Sequence, residues 1–430
     1  MPTVIIIGAG IGGDAGPEAR LQGYHVSAKP FGVKSLMNCL PTELSDRLNE
    51  ILPGPVTGED HNPSFVDQFG ELLISFPCKK FNNLREFSEI NHDHTVLITF
   101  RDKIREFLLQ GLDVQWNKKF VRYEIVDNGV WAYFDDGTKE FGDILVGSDG
   151  VNSPVRKQKL PDLEVKNLGV SCVIFDIAPS KDLVERFSKS SSRDSIFKIS
   201  LGDRGDNLVT VFRLIPVETK DPQDDDIHYR FTFTYTYPSS FDDYDSDDYA
   251  SFNKENNQPG KVISWVKRMI NEKRENSEFV DVVKEMLDIT PSKSGSVGKN
   301  HPFENYRPNK FPLRDLDPKS IERWSVDRVT LIGDAIHAMN PVLGLGMNHA
   351  MRDADKLSQS LLDWNEKGWE ECIKNYEDEM INRCSPDVLN SRKICQRVHV
   401  ACHNKFDVIF RNWTIKFIGL CLNIYMKIFS

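Results

Sequence analysis

Two aspartates are the residues best placed to do chemistry. The apolar run Val329–Ile332 reads as a buried strand, closed by Gly333 and Asp334. Asp143-Ile144-Leu145-Val146-Gly147-Ser148-Asp149-Gly150 repeats the pattern, with an apolar strand ending in a small residue, an Asp and a Gly. A carboxylate at a strand's carboxyl end can accept hydrogen bonds from ligand hydroxyls or backbone amides, and ligands of open α/β sheets bind there. After Asp334 comes a loop containing Pro341, Gly344 and Gly346, then a helical pattern from Met347 and Asn348, with Ala350, Met351, Ala354 and Leu357 on one face. Glycines let backbone amides approach a ligand, and a helix N-terminus favours negative charge.

A third motif lies near residue 8. Thr3 to Ile7 is a β-branched run followed by Gly8-Ala9-Gly10-Ile11-Gly12-Gly13, which places Gly8, Gly10 and Gly13 where a tight turn would cradle a pyrophosphate. Arg101 opens a helical pattern with apolar positions at 104, 107 and 108. A cation at a helix start is unfavourable unless it meets an anion, so Arg101 is either a bidentate phosphate contact or a solvated surface residue.

The elements around these groups indicate an α/β protein. A strand at His25–Ala28 should end in an acid that bonds ribose hydroxyls, yet it runs into Lys29-Pro30-Phe31, with the nearest acid, Glu43, in an expected helix from Pro41 to Ile51. Gly16 and Pro17 interrupt the helix expected after the glycine motif. Strands are expected at Glu71–Phe76, Val96–Phe100 and, around the turn Asp127-Asn128-Gly129, within Val121–Phe134. Ser153 is a candidate helix cap. From 168 to 310 the character is sheet-rich, with alternation at Val170–Ile177, Ile196–Leu201, Asn207–Leu214 and His228–Tyr237. Helices are expected at Lys261–Glu272 and Glu278–Leu287, with Val262, Trp265, Val266 and Met269 packing on one face. The acidic stretches Asp221–Asp226 and Phe241–Tyr249 read as solvated loops.

Composition bounds the function. The chain has 430 residues and a formal net charge of -10, which argues against a nucleic-acid partner. Eight cysteines without a CxxC pair suit reduced thiols in a cytoplasmic compartment. The start, MPTVIIIGAG, lacks a basic segment and reads as a strand rather than a secretory leader. Cys395, His399, Cys402 and His403 are spaced to share a helix face, but no second ligand group completes a metal site, and none is expected. No Ser-His-Asp set or carboxylate pair demands a catalytic role, and His337 is read as structural. The tail, residues 406–430, is apolar and aromatic but interrupted by charges. It reads either as a helix packed on the protein or an oligomer partner, or as one making peripheral membrane contact.

The order of the three motifs, with the runs LVGSDGVNSPVR and LIGDAIHAMNP, resembles the FAD-dependent aromatic-ring hydroxylases, single-component flavoprotein monooxygenases of the para-hydroxybenzoate and salicylate hydroxylase type. The resemblance implies a Rossmann-like FAD-binding domain (residues 1–167 and 311–395), a β-sheet-rich substrate domain (168–310) and a helical C-terminal segment (396–430). It implies that Gly8, Gly10 and Gly13 hold the FAD pyrophosphate. Arg101 would meet the phosphate or ribityl region, Asp149 and Gly150 would serve FAD and NAD(P)H, and Gly333-Asp334 would meet the ribityl hydroxyls. Pro341, Gly344, Gly346, Met347 and Asn348 would sit against the isoalloxazine. Leu345 stands where the family commonly has Gln. The implied chemistry is NAD(P)H reduction of FAD, reaction with O2 to a C4a-hydroperoxide, and insertion of one oxygen atom into a small aromatic or unsaturated organic substrate. A flavin enzyme that only oxidises and a family member that binds FAD weakly are the alternatives.

Overall fold

The computed structural model describes residues 2–8, 24–52, 60–76, 81–91, 95–191, 195–216, 227–242, 259–290, 308–322 and 324–429. Strands β1 (Val4–Ile7), β2 (His25–Ala28), β3 (Ser64–Val66), β4 (Leu72–Ser75) and β5 (Leu97–Phe100) precede a meander of β6 (Phe120–Val126), β7 (Gly129–Phe134) and β8 (Lys139–Gly142). Then come β9 (Ile144–Gly147), β10 (Lys166–Ile177), β11 (Phe197–Leu201), β12 (Asn207–Pro216), β13 (Tyr229–Pro238), β14 (Asn309–Asp315) and β15 (Val329–Leu331).

The expected β-branched and apolar runs build a parallel sheet in the order β1-β9-β15, in which β9 and β15 are buried as parallel strands require. Its core of Ile144, Leu145, Val146, Val329 and Leu331 meets Ile373, Tyr376 and Met380 of the long helix within Trp364–Val398, which runs on from a break at Gly368 (φ +75°). Among the described residues β1 pairs with β9 alone, and its Ile6 remains 62% exposed. β2 does not extend this sheet. It pairs antiparallel with β5, His25 opposite Phe100 and Ala28 opposite Leu97. The chain then enters a helix, Pro30–Cys39, that the sequence reading passed over, although Pro at its first turn is a start signal. In place of one helix from Pro41 to Ile51 there are two short turns, Thr42–Ser45 and Leu48–Glu50.

The second sheet has seven strands in the order β14-β10-β13-β12-β11-β3-β4. It takes β3 and β4 from within residues 1–167, through a parallel pairing of β3 with β11, so this sheet reaches beyond 168–310. Along β13, Phe231, Phe233, Tyr235 and Tyr237 point to one face and Thr232, Thr234 and Thr236 to the other, as a period of two requires. The aromatic face is covered by the helices Lys181–Ser190, Pro259–Lys273 and Glu278–Asp288 through Phe187, Trp265, Val266, Met269 and Phe279.

The Gly346–Leu362 helix departs from the expected apolar face. Met351 and Leu357 are buried, but Ala354 is exposed, and the remaining buried positions include Asn348, His349, Asp353 and Asp355. Polar partners, described below, hold this face. The long helix ends at Val398, so Cys402 and His403 are not on it, and the Cys395-to-His403 set does not share one helix face. The tail is one helix, Lys405–Phe429, lying along β4. No helix among the described residues is long and apolar enough to cross a membrane. Gly10 and Gly13, the Gly16–Pro17 interruption and Asp221–Asp226 lie outside the described residues, as does most of Phe241–Tyr249.

A buried ion pair anchors the seven-stranded sheet: Arg274 Nε lies 2.6 Å from Asp206 Oδ2, and both side chains are buried. Removing one partner strands a charge in the interior. Arg274→Met should cost about 3–5 kcal/mol, read as the shift in the urea-unfolding midpoint. A cost below about 1 kcal/mol would mean that water reaches Asp206.

Candidate functional site

The ends of β1, β9 and β15 converge. Gly8 has φ +111°, and a Cβ there would lie 2.6 Å from the Ser148 carbonyl oxygen. Only glycine fits that approach. The Ser148 hydroxyl donates to the Ile7 and Gly8 carbonyls, both at 3.0 Å. Asp149 Oδ2 accepts from the Val155 amide at 3.3 Å, and Gly150 (φ +80°) faces open space where a Cβ would stand. Ser153 caps the Pro154–Lys159 helix by accepting from the Arg156 amide at 2.9 Å, as expected. Arg156 was assigned no role from sequence. Buried, it donates to the Val151 carbonyl (2.9 Å) and the Ala335 carbonyl (3.1 Å), locking the Asp149 and Asp334 loops together.

Asp334 opens a helical turn, Asp334–His337, directly after Gly333 (φ 59°, ψ -140°). Its carboxylate keeps accessible surface while lying deep among protein atoms. That surround raises it above the ordinary carboxylate value, and His337 and Arg101 pull it back. Arg101 is buried at the start of the Arg101–Leu108 helix, its guanidinium 5.5 Å from the Tyr24 ring centre. Asp334 is one negative group whose charge this cation acts on. The Gly346–Leu362 helix begins beside the same carboxylate: a Cβ on Gly346 would lie 3.7 Å from Asp334 Oδ1. Its N-cap position is Leu345, which offers no side-chain acceptor, and its first turn holds no acid. First-turn amides have no intrahelical acceptor, so this end is built for an electron-rich group.

The loop between these points is held from behind. Pro341 starts a 3-10 turn whose C-cap, Gly344 (φ +61°), sits against Ser27 of β2. The Asn348 carboxamide is committed to backbone: Oδ1 accepts from the Lys29 amide (2.7 Å), and Nδ2 donates to the Ser27 and Gly344 carbonyls (2.9 and 2.8 Å). Met347 packs on the Val33–Phe107 core. The side chains of both residues thus fix the loop, leaving their backbone for any ligand.

Asp353 is the anchor of this region and was not singled out from sequence. Its Oδ2 accepts from the Gly333 amide (2.8 Å) and His337 Nε2 (2.6 Å), and its Oδ1 from Arg383 Nη2 (2.8 Å). Burial opposes its charge, but His337 and then Arg383 outweigh it and hold the carboxyl down at about 2. His337 is pushed well above its ordinary value: burial works against the charge, and Asp353 outweighs it. Arg383 also approaches His349 Nδ1 at 2.7 Å, making that nitrogen an acceptor, while His349 Nε2 donates to Asp387 (2.9 Å). His337, Asp353 and Cys384 have the ligand types of a metal site. Here amide, imidazole and guanidinium donors occupy the carboxylate, and Arg383 Nη1 stands 3.1 Å from the Cys384 sulfur, where a cation would be repelled.

The threonine face of the seven-stranded sheet looks toward this loop. Ile174 and Cys172 belong to a cluster that Phe311, Tyr24 and Val342 of the Pro341–Leu343 turn pack against. His25 meets Phe197 at 5.7 Å between ring centres, and burial lowers its pKa to about 4, so the ring is neutral at physiological pH. Where Val342 packs, its neighbours in the cluster are aliphatic, thiol and aromatic groups, chiefly Ile174, Cys172, Phe311 and Tyr24.

The chain is similar to known proteins over most of its length. Residues 262–385 match the model described as an FAD binding domain, FAD_binding_3. The chain is 26% identical to the FAD-dependent monooxygenase thnD of Trichoderma harzianum, over 91% of this chain and 92% of that protein. Among solved structures, a candidate FAD-containing monooxygenase of Photorhabdus luminescens aligns with a TM-score of 0.69 and 25% identity, covering 94% of this chain and 100% of that one. Klebsiella pneumoniae HpxO, solved with FAD and uric acid, shares the fold at a TM-score of 0.66 and 18% identity, over 96% of this chain and 92% of its own.

The Asp353–His337 pair carries a pH signature. His337 takes up a proton more readily folded than unfolded, so its contribution is complete below the ordinary value of 6.5 and is lost as pH rises through the folded value. The stability deficit of His337→Gln should therefore narrow as pH is raised from about 6 toward about 9, in urea unfolding at a series of pH values. A deficit independent of pH would mean that the ring is neutral when folded.

Proposed function

We propose that the chain, similar to FAD-dependent monooxygenases over more than nine-tenths of its length, is of the aromatic-ring hydroxylase type and couples oxidation of NAD(P)H to insertion of one atom of O2 into a small aromatic or unsaturated organic substrate. The second oxygen atom leaves as water: substrate, O2, NAD(P)H and a proton give hydroxylated substrate, NAD(P)+ and water. The observation that carries this reading is the accessible Asp334 carboxylate. It lies beside the uncapped helix start at Gly346, with the Arg101 charge acting on it, and Val342 of the intervening loop packs on the cluster that holds Ile174 and Phe311.

The fit to FAD is good at one end. Asp334 would accept hydrogen bonds from ribityl hydroxyls, and Arg101 would balance its charge or meet a phosphate. Pro341 and the Gly344–Asn348 backbone would lie along the ring system, with the helix N-terminus stabilising negative charge at its edge. Gly8, Gly10 and Gly13 would cradle the pyrophosphate, with Asp149 and Gly150 between the dinucleotide and the nicotinamide co-substrate. When bound, the flavin supplies hydride acceptance and oxygen activation, and the protein supplies orientation, charge and water exclusion. Phe311, Ile174, Phe197 and neutral His25 favour a flat, weakly polar substrate, since they offer area for stacking and few hydrogen bonds to satisfy.

The fit is poorer at the adenosine end. β2, which was expected to carry the ribose acid, pairs antiparallel with β5 outside the parallel sheet, so among the described residues no second parallel strand beside β1 presents an acid to the ribose. This observation favours a second reading, a family member that holds FAD weakly and works as a binding protein. Visible absorption separates the two. The first reading expects bands near ~370 and ~450 nm that co-elute with the protein after FAD is added, and NAD(P)H consumption stimulated by an aromatic substrate with about one hydroxylated product per NAD(P)H. Asp334→Ala should weaken FAD binding about ten- to a hundredfold, the worth of a charged hydrogen bond or two. A chain that stays colourless in excess FAD overturns the monooxygenase reading. Hydrogen peroxide formed in place of hydroxylated product would indicate an oxidase.

A further inference from the structure

The Lys405–Phe429 helix has two unlike sides. One side is tied to the protein: Arg411 Nη1 donates to the Gly202 carbonyl (2.6 Å), Asn412 to Asp67 Oδ2 (3.4 Å), and Gly419 packs against Ile74 of β4. The other carries Phe406, Phe410, Trp413, Phe417, Leu420 and Ile424, spaced alternately four and three residues apart, and all are exposed, Phe406 by 81%. Trp413 and Phe417 stack at 5.6 Å with rings 11° from parallel. With Ile409 beside them, they form an apolar band about a third of the helix circumference wide. A soluble surface rarely leaves so large a continuous band open.

Charge identifies what would cover it. Lys405 and Lys416, both exposed, stand about three turns apart on one flank of the band, and Lys427 follows at the same interval in the sequence. The helix carries four cations against one acid, Asp407, in a chain whose net charge is -10. Asp407 is engaged at the helix start, accepting from the His403 amide at 2.9 Å. We propose that this helix docks the enzyme on an anionic lipid surface, its aromatic band sunk at the headgroup boundary and its lysine row reaching lipid phosphates. Antiparallel pairing with a second copy would set lysine row against lysine row, while Asp407, the acid on this helix, is already engaged, which disfavours that occupant.

The test is flotation of the FAD-loaded full chain with vesicles of pure phosphatidylcholine or of phosphatidylcholine with phosphatidylglycerol. Recovery with the anionic vesicles should exceed that with the neutral ones by at least about tenfold, from a few lysines worth about fivefold each. Trp413→Asp/Phe417→Asp should abolish flotation. Lys405→Glu/Lys416→Glu should reduce it to the neutral-vesicle level. Both variants should keep the thermal midpoint and FAD content of the parent. If the double aspartate variant does not fold, Phe406→Ser, at the most exposed position, should still lower flotation severalfold. Parent protein that stays unbound on anionic vesicles overturns the proposal, as does equal flotation on both vesicle types. A concentration-dependent dimer that the Trp413 and Phe417 changes dissolve, without vesicle binding, assigns the band to a second copy.

Discussion

One buried carboxylate holds the site together. Asp353 takes three donors at once: the Gly333 amide at the end of β15, the His337 ring at the end of the turn that carries Asp334, and the Arg383 guanidinium from the long helix. A charge with no exposure survives in a protein interior only when opposing charge and hydrogen bonds replace its water. Here the replacement is complete, and it has a geometric by-product. Gly333, with its positive φ, and His337 are pinned at both ends of a four-residue turn, so Asp334 between them has little freedom. His337 has a second effect, since its positive charge lowers the Asp334 carboxyl that burial raises.

A second cation performs the matching task on the other side. Arg156 reaches from the Ser153-capped helix to carbonyls of both aspartate loops, so the ends of β9 and β15 are fixed relative to one another by side-chain bonds as well as by strand pairing. Asn348 adds the third fixture, joining the glycine loop to the end of β2. Polar residues do this work because each must satisfy backbone groups that a turn leaves without partners. The same requirement explains why the Gly346–Leu362 helix buries Asn348, His349 and Asp353 while Ala354 is exposed. Its inner face is a set of connectors rather than a hydrophobic seam.

Much of the frame was legible in the sequence, because strand, glycine and aspartate were contiguous in Val329–Asp334 and Ile144–Gly150, and apolar spacing marked the helix after Arg101. The connectors were not. Gly333, Asp353 and Arg383 are joined across separations of 20 and 30 residues, and nothing in a periodicity marks a polar residue as a partner of another. β3 and β4, of three and four residues, are too short to show alternation, so their membership of the far sheet came only from pairing. The exposed Ala354 shows the opposite failure. A regular apolar spacing was present, yet burial followed the ion pairs. His25 lay within an expected strand, but its role at the sheet junction depends on Phe197, far along the chain.

The two ends of the cofactor region are built from separate parts, and this bears on how function could persist in a divergent chain. The contacts that set Asp334, Gly344 and Gly346 run through β15, the Gly346–Leu362 helix, Arg383, Ser27 and Lys29. None of them passes through β1. The end proposed for the pyrophosphate instead depends on the approach of Gly8 to Ser148, on a strand whose Ile6 is exposed and whose described partner is β9 alone. A change at the Gly8 end would therefore leave the placement of groups around Asp334 undisturbed. Binding energy from a remote part of a ligand mainly lowers the concentration needed, whereas chemistry depends on groups at the reacting end. A chain with this division can lose affinity for FAD in steps while the geometry around Asp334 stays intact.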